Sequence, residues 1–326
     1  MRIGIATTRA SNIEVTWTTA HIIVGLLAAG VGIRLIEPWD YEVDAKGQLV
    51  ARAYALDPRD QGWSRNQVCT VLQTRRARRC FVALDSLDLI LIRINPMDNA
   101  VLTWCLRAQS QGVPVLNPPD ALLMTSHKGW LASLAGVPKP PTLVTRARGT
   151  AHAFFSDYPE GVVVKPARAS GGKNIFRVGH KRHQDMDRAL DEVQKVGDRY
   201  AVIQAYMPEA DQGEKRLVWL DGKLLGGYLR ERAPGEFRHN LKQGAKPHPI
   251  VLSGIDQALC DALNPHLLDA GVWLAGIDVI GDKVVEVNTL NPGGLHLAQS
   301  FSPDEDLVAP VVQSLLRRIG PSVGKA

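Results

Sequence analysis

Residues 274–294 read LAGIDVIGDKVVEVNTLNPGG. Two alternating apolar runs, 274–280 and 284–288, flank Gly281-Asp282-Lys283, the signature of a β-hairpin. A three-residue loop sets Asp278 opposite Glu286, puts Asn288 on the same face, and gathers Ile277, Val279, Val285 and Val287 on the other. A two-residue loop would split the acids between faces and scramble the apolar set, so the three-residue loop is expected. Two carboxylates and an amide on one face are hard oxygen donors. Such a set suits Mg²⁺, which takes one or two carboxylates and completes its shell with water and substrate phosphates. A hairpin whose solvated face carries incidental acids is the plainer reading of this stretch alone.

The chain of 326 residues is long enough for two or three domains with their own cores. Its 45% hydrophobic and 22% charged content is ordinary for a globular protein. A net charge of +5 favours anionic ligands. No run approaches the roughly 18 apolar residues of a membrane span. The start, MRIGIATT, passes directly into a strand without a signal-peptide layout, so a cytoplasmic location is expected. The four cysteines, Cys69, Cys80, Cys105 and Cys260, form no CxxC pair, which points to neither a zinc site nor a disulfide framework.

Working outward from the hairpin, residues 1–121 alternate strand and helix signals. Strands are expected at Arg2–Ala6, Gly32–Glu37, Leu87–Arg93 and Val113–Asn117, and helices at Trp17–Ala29 and Val101–Gln111. That order describes a doubly wound α/β domain. It has no GxGxxG after the first strand, so a dehydrogenase-type dinucleotide site is unsupported. Arg93, Asn95 and Asp98 follow a strand C-terminus, where open α/β sheets place ligands. The basic run Arg75-Arg76-Ala77-Arg78-Arg79 lacks the aromatic interleaving of a nucleic-acid surface and reads as a solvated helix face.

From Ala121 onward a second pattern begins. Thr125 or Ser126 is placed to cap a helix over 128–135, ended by Gly136. Strands are expected at 161–165 and 175–178 around Gly171-Gly172, and a backbone turn of that kind can close over phosphates. Lys165, at the end of an apolar strand, calls for an anionic partner. Strand 201–206, the hairpin 217–230 turned at Asp221-Gly222, helix 257–270 and a last helix 304–318 complete the order. The loop carrying Arg232, Arg238, His239, Lys242 and Lys246 is suited to gripping carboxylate or phosphate.

Lys128, PPTLVT (140–145), VVVKPARASGGKNIF (162–176), VIQAYMPEADQGEKR (202–216), GEFRHNL (235–241) and GIDVIGDKVVEVN (276–288) occur in this order. Over about residues 87–300 the chain therefore resembles the ATP-grasp carboxylate–amine ligases, and within them the bacterial glutathione synthetases. The resemblance implies an α/β fold, α+β in its ATP-grasp part. It implies three parts: an N-terminal substrate domain (1–121), a lid subdomain (122–203) and a C-terminal catalytic subdomain (204–326). It implies that Lys128 and Lys165 hold ATP phosphates, with Gly171 and Gly172 over them. Gln204, Ala205, Tyr206 and Met207 would meet adenine, and Glu214 the ribose. Asp278, Glu286 and Asn288 would bind Mg²⁺, with Mn²⁺ an alternative ion. Arg216 and Lys165 would be the catalytic cations, Arg216 beside the acyl phosphate. Arg93, Arg216, Arg232, Arg238, Asn240, Asn291, Gly293 and Gly294 would face the substrates.

The resemblance also implies the activity: ATP turns a carboxylate into an acyl phosphate, an amine attacks, and ADP and phosphate leave. Glutathione from γ-glutamylcysteine and glycine is the product expected. Small-molecule acid and amine partners, a homo-oligomer, and neither nucleic acid nor membrane complete the expectation. The chain departs from the glutathione synthetase pattern on the substrate side. LKQGAKP (241–247) has a single glycine where the family has a Gly-rich loop, and Asn291-Pro292-Gly293-Gly294 replaces Ser-Pro-Thr-Gly. Arg232 fills the slot of the family's preceding arginine only with a small shift. A peptide or amino-acid ligase with another acid or amine is thus the alternative, ahead of an ATP-grasp kinase or a non-catalytic ATP-binding module.

Overall fold

The computed structural model describes residues 1–59, 61–168 and 174–319. Its contacts gather the chain into two units: 1–122 with 270–274 and 289 onward, and 123–269 with 275–288.

The first unit opens with β1 (Arg2–Thr7), α1 (Thr18–Ala28) and β2 (Gly32–Ile36). Then come β3 (Tyr41–Val43), β4 (Leu49–Leu56), α2 (Arg65–Gln73), β5 (Arg78–Ala83), β6 (Leu89–Arg93), α3 (Asn99–Ser110), β7 (Val115–Leu116) and α4 (Pro119–Thr125), the last running across the boundary. β2, β1, β6 and β7 pair in parallel in that spatial order. Parallel neighbours need crossover connections, here α1 between β1 and β2 and α3 between β6 and β7. Buried on both faces, these strands read as continuous apolar runs, which is why they were legible. β4 pairs antiparallel with β2 and, further along the same edge, with β3, while β5 pairs with it along the opposite edge. Ala6, Ile36, Leu84, Ile90, Val101, Leu102 and Cys105 are among the fully enclosed side chains of its core.

Helix α1 matches the apolar run expected of it, and Gly30 just beyond its end takes φ +80. The basic run 75–79 is corrected. Arg75 has φ 56 just after α2, and Arg78 and Arg79 lie on strand β5, not on a helix. The alternation that marks a strand begins only at residue 80, so the four arginines masked it.

The second unit continues with α5 (Gly129–Ser133), β8 (Thr142–Thr145), α6 (Arg148–Ser156), β9 (Val162–Pro166), β10 (Phe176–Val178), α7 (His183–Val193) and β11 (Ala201–Ala205). These strands form an antiparallel sheet ordered β10-β9-β11-β8, with Phe155, Val164, Met186, Leu190 and Ile203 in its core. The N-cap of α5 is Lys128, whose side chain makes no capping bond, and His127 Nδ1 accepts the Gly129 N–H at 3.0 Å. The expected Thr125 or Ser126 cap is thereby overturned, because Thr125 instead ends α4.

A five-stranded sheet follows, ordered β14-β13-β12-β15-β16. It is built from β12 (Glu214–Leu220), β13 (Lys223–Glu231), β14 (Lys246–His248), helix α8 (Gly254–Asp269), β15 (Leu274–Ile280) and β16 (Lys283–Asn288). The chain then returns to the first unit with α9 (Leu295–Phe301) and α10 (Val308–Arg318). Those two helices fall in the sequence span 204–326, yet α10 packs against α1, burying Val311, Val312 and Leu315.

The β15–β16 hairpin corrects the loop expected from sequence. Ile280 pairs with Lys283, so the loop is the two residues Gly281-Asp282. Asp278 nevertheless pairs with Glu286, because the register shifts between Asp278 and Val279 and leaves Val285 as an extra residue. One bulge does what the longer loop was expected to do. Val284 therefore joins Ile277 and Val279 as wholly enclosed side chains.

Candidate active site

The site of the second unit is built on two neighbouring strands, β12 and β15. β15 presents Asp278 from an otherwise apolar strand, β12 presents Arg216 from its charged first half, and the two charges meet. Arg216 Nε donates to Asp278 Oδ1 at 2.5 Å and Nη2 to Oδ2 at 3.0 Å, a bidentate fork. Arg230 on β13 donates to both Glu214 and Asp278. Asn288 Nδ2 donates to Asp278 Oδ2 at 3.0 Å, so Asn288 and Asp278 share a face, as their strand positions require. Burial pushes the Asp278 carboxyl up, and the two guanidiniums outweigh it, holding it below the usual range. Burial likewise opposes the Arg216 charge, and Asp278 reverses that, so the pair stays ionised. Glu214 is raised by burial, with Arg230 pulling the other way.

A second cluster surrounds Glu286. Lys128 Nζ lies 3.7 Å from Glu286 Oε1. Lys165 is buried and donates to Gln204 Oε1 at 3.2 Å and to the Val285 carbonyl at 3.3 Å. Its ammonium titrates below the usual range because burial outweighs Glu286. Gln204 is held in turn through Thr142 Oγ1 at 3.2 Å. Lys128, Lys165, Gln204 and Glu286 line one recess with His127 and Thr142. A buried lysine whose hydrogen bonds go to neutral oxygens, as those of Lys165 to Gln204 and Val285 do, favours added anionic charge.

The remaining residues singled out from sequence are scattered around these clusters. The Ala205 N–H bonds to the Pro141 carbonyl at 2.9 Å and the Tyr206 N–H to that of Gly161 at 3.0 Å. The Tyr206 ring lies 3.7 Å beneath the Arg177 guanidinium, and Met207 is buried. Arg232 pairs with Asp211 at 3.0 Å. Arg238 pairs with Glu236 at 2.6 Å, which with the backbone holds that carboxyl at about 2. Asn240 begins the short 3₁₀ turn 241–243. Gly171 and Gly172 lie outside the described residues.

In the first unit, Arg93 is buried, donating to Thr19 Oγ1 at 3.1 Å and to the Pro292 carbonyl at 2.9 Å. Burial lowers its guanidinium to about 9. This contact joins Arg93 to the turn of Asn291, Gly293 and Gly294, where Asn291 has φ 50 and Gly294 φ 117. Asp98, read as a ligand candidate, accepts from the Ala100 and Val101 N–H groups and caps α3. Asn95 is tied to Thr8, whose Oγ1 accepts its N–H at 3.1 Å.

Arg230 was missed. The Asp221-Gly222 turn alone would pair Glu214 with Leu229. A register shift between Val218 and Trp219, with Leu225 the extra residue, brings Arg230 opposite Glu214 instead. No pattern in the strand sequence announces that bulge.

The donor set fits a divalent ion of the hard class: Asp278, Glu286 and the Asn288 amide gather on one hairpin face. Among the described residues no three of His, Cys, Asp or Glu are grouped for metal binding, and an ion held by these donors would need further oxygen ligands. An ion at Asp278 would have to share that carboxylate with Arg216 and Arg230, which both donate to it.

The family model described as prokaryotic glutathione synthetase, ATP-grasp domain, matches residues 131–302. A glutathione synthetase of Vibrio cholerae serotype O1 is 33% identical over 246 residues, covering 73% of this chain and 75% of that protein. One from Coxiella burnetii is 32% identical over 225 residues, covering 67% and 68%. Among solved structures, the D-cycloserine synthetase DcsG superposes with a TM-score of 0.70 at 17% identity over 97% of this chain and 99% of that one. The VanG D-Ala:D-Ser ligase from Enterococcus faecalis does so with a TM-score of 0.67 at 15% identity over 98% and 99%. The structural likenesses carry the mixed α/β ATP-grasp fold, and the sequence likenesses carry the family, which works with small-molecule substrates, ATP and a divalent metal. The chain belongs to the prokaryotic glutathione synthetase family of ATP-grasp ligases, ATP-dependent enzymes that join a carboxylate to an amine.

Proposed function

We propose that the protein joins γ-glutamylcysteine to glycine, yielding glutathione, ADP and phosphate. The observation that carries this reading is the hairpin pairing of Asp278 with Glu286, one acid gripped by Arg216 and the other facing Lys128. Lys128 and Lys165 are positioned to take phosphate oxygens, and Gln204–Met207 with Glu214 to take the nucleoside. Asp278, Glu286 and Asn288 would hold Mg²⁺, or Mn²⁺ in its place. When bound, the metal–nucleotide pair supplies the phosphoryl group that activates the acid and neutralises charge during its transfer. Arg216 adds fixed positive charge where the transferring oxygens gather it, in a buried setting that strengthens the effect. Arg93 with Asn291, Gly293 and Gly294, together with Arg232, Arg238 and Asn240, would orient the acid and the amine.

The parts 1–121, 122–203 and 204–326 are proposed as substrate, lid and catalytic segments. A homo-oligomeric, cytoplasmic enzyme without nucleic-acid partners accompanies the reading. No described helix is long and apolar enough to cross a membrane. The test is incubation with ATP, Mg²⁺, γ-glutamylcysteine and glycine, following ADP release and the product mass. Glutathione with stoichiometric ADP is expected. ADP release only with another acid or amine would reject glutathione and favour the second reading, a peptide or amino-acid ligase. That reading draws on Arg232 and Arg238 being tied to Asp211 and Glu236, an arrangement open to a differently shaped acid.

A further inference from the structure

The first unit holds a second group of charged residues, none of which has a role in the ligase reading. A cavity of ≈ 390 Å³ opens among Arg9, Asp40, Arg52, Arg75 and Arg79, with Glu37 and Trp39 on its wall. Arg9 follows β1 and Asp40 follows β2, at the strand ends where open α/β sheets bind ligands. Arg52 and Arg79 come from the antiparallel pair β4 and β5. The volume is in the range of small-molecule sites.

Its polar bonding is incomplete in a specific way. Asp40 is buried, with 6% of its surface exposed. Its Oδ1 accepts from Arg79 Nη2 at 2.6 Å, and that same nitrogen donates to the Arg52 carbonyl at 2.9 Å. Its Oδ2 is buried without a hydrogen-bond partner among the described residues, and so is Arg79 Nε. A buried carboxylate oxygen without a donor is costly, so the Asp40 charge, on the cavity wall, is under-compensated and favours a cation beside it. Glu37, the other acid on the wall, accepts the Ala10 N–H on its Oε1 at 2.7 Å. The arginines outnumber the two acids, and Arg9, Arg52 and Arg75 are exposed at the mouth. Trp39, 59% exposed with Arg9 stacked 5.5 Å from its ring, provides an apolar wall.

We propose that this cavity binds a small zwitterion of the α-amino-acid class that carries a further carboxylate. The ammonium sits beside the Asp40 carboxylate on the cavity wall and the carboxylates on the arginines. Free glutamate and the γ-glutamyl end of a dipeptide share this chemistry. A ligand of phosphate type satisfies the arginines but offers Asp40 a like charge, so it fits worse.

The test is titration calorimetry on the full chain without nucleotide, using L-glutamate, γ-glutamylcysteine, glutarate and inorganic phosphate. Glutamate or the dipeptide is expected to bind at least tenfold tighter than glutarate, which lacks the ammonium, and tighter than phosphate. Asp40→Asn should erase the preference over glutarate. The exposed pair Arg9→Ala with Arg75→Ala, which disturbs no core packing, should weaken amino-acid binding tenfold or more. A Km for γ-glutamylcysteine that rises in the Asp40→Asn variant identifies the dipeptide as the ligand; unchanged turnover with lost glutamate binding identifies the free amino acid. No binding by the wild type, equal affinity for glutamate and glutarate, tighter phosphate binding, or affinities untouched by either variant would overturn the proposal. ADP release is read separately, so failure of the ligase reading leaves this result standing.

Discussion

Arg216 lies over Gly276: its Nη1 passes 2.7 Å from where a β-carbon on that glycine would stand, and its Cζ 3.3 Å. The guanidinium reaches Asp278 across a strand position that has no side chain. Gly276→Ala should push Arg216 off Asp278 while leaving the sheet paired. Charge-assisted hydrogen bonds of this kind contribute roughly 1.5–3 kcal/mol, so ADP release should slow by about 10- to 100-fold. Steady-state kinetics and a melting curve check it. Wild-type turnover in a folded Gly276→Ala protein would show that the fork is not needed.

Lys165 and Arg216 should fail differently. Lys165 is a desolvated cation with neutral partners and Glu286 nearby, so Lys165→Ala is expected to weaken ATP binding about tenfold or more with little loss of stability in the ligand-free protein. Arg216→Ala should mainly lower kcat. Nucleotide titrations beside single-turnover rates separate the two. Equal loss of ATP affinity in both variants would contradict the division of roles.

Asp256, in the first turn of helix α8, is a stability element that ties that helix to Lys215 on β12 of the same sheet. It is fully enclosed, accepts from Lys215 Nζ at 2.8 and 2.9 Å, and accepts the Ser253 N–H at 2.9 Å at the start of α8. Breaking a buried pair from one side strands the other charge, so Asp256→Ala should cost about 3 kcal/mol. Urea unfolding measures this. A change below about 1 kcal/mol would mean that Lys215 finds water instead.

The first unit should lose stability in acid through His21. Arg65 Nη1 stands 2.9 Å from His21 Nε2 and 3.2 Å from His296 Nδ1, and the two ring nitrogens are 3.1 Å apart. Burial, then Arg65 and His296, lower His21 from 6.5 to about 4. The unfolded chain therefore takes up a proton near pH 6.5 that the folded chain refuses until near 4. Between those values the unfolded state binds more protons, so stability falls as pH falls, by on the order of 1–2 kcal/mol. His21→Gln should flatten that part of the stability profile. An unchanged slope in the variant would assign the loss to other groups.

Much of this was open to inspection in the chain itself. Helix α1 and strands β1, β2 and β6 follow from continuous apolar runs, because an element buried on both faces needs no partner to explain its composition. The order of the segments around Lys128, Lys165, Glu214, Arg216, Asp278, Glu286 and Asn288 carries the resemblance to the family, because a series of motifs in sequence order is legible without a structure. What the three-dimensional arrangement decided was register. Val285 and Leu225 are each one residue more than a two-residue turn allows, and these bulges set Glu286 opposite Asp278 and Arg230 opposite Glu214. A one-residue shift exchanges the faces of a strand, and its position depends on packing across neighbouring strands, which no local pattern records. The same holds for Asp40 and Arg79, residues 39 positions apart that meet only because β5 pairs with β4.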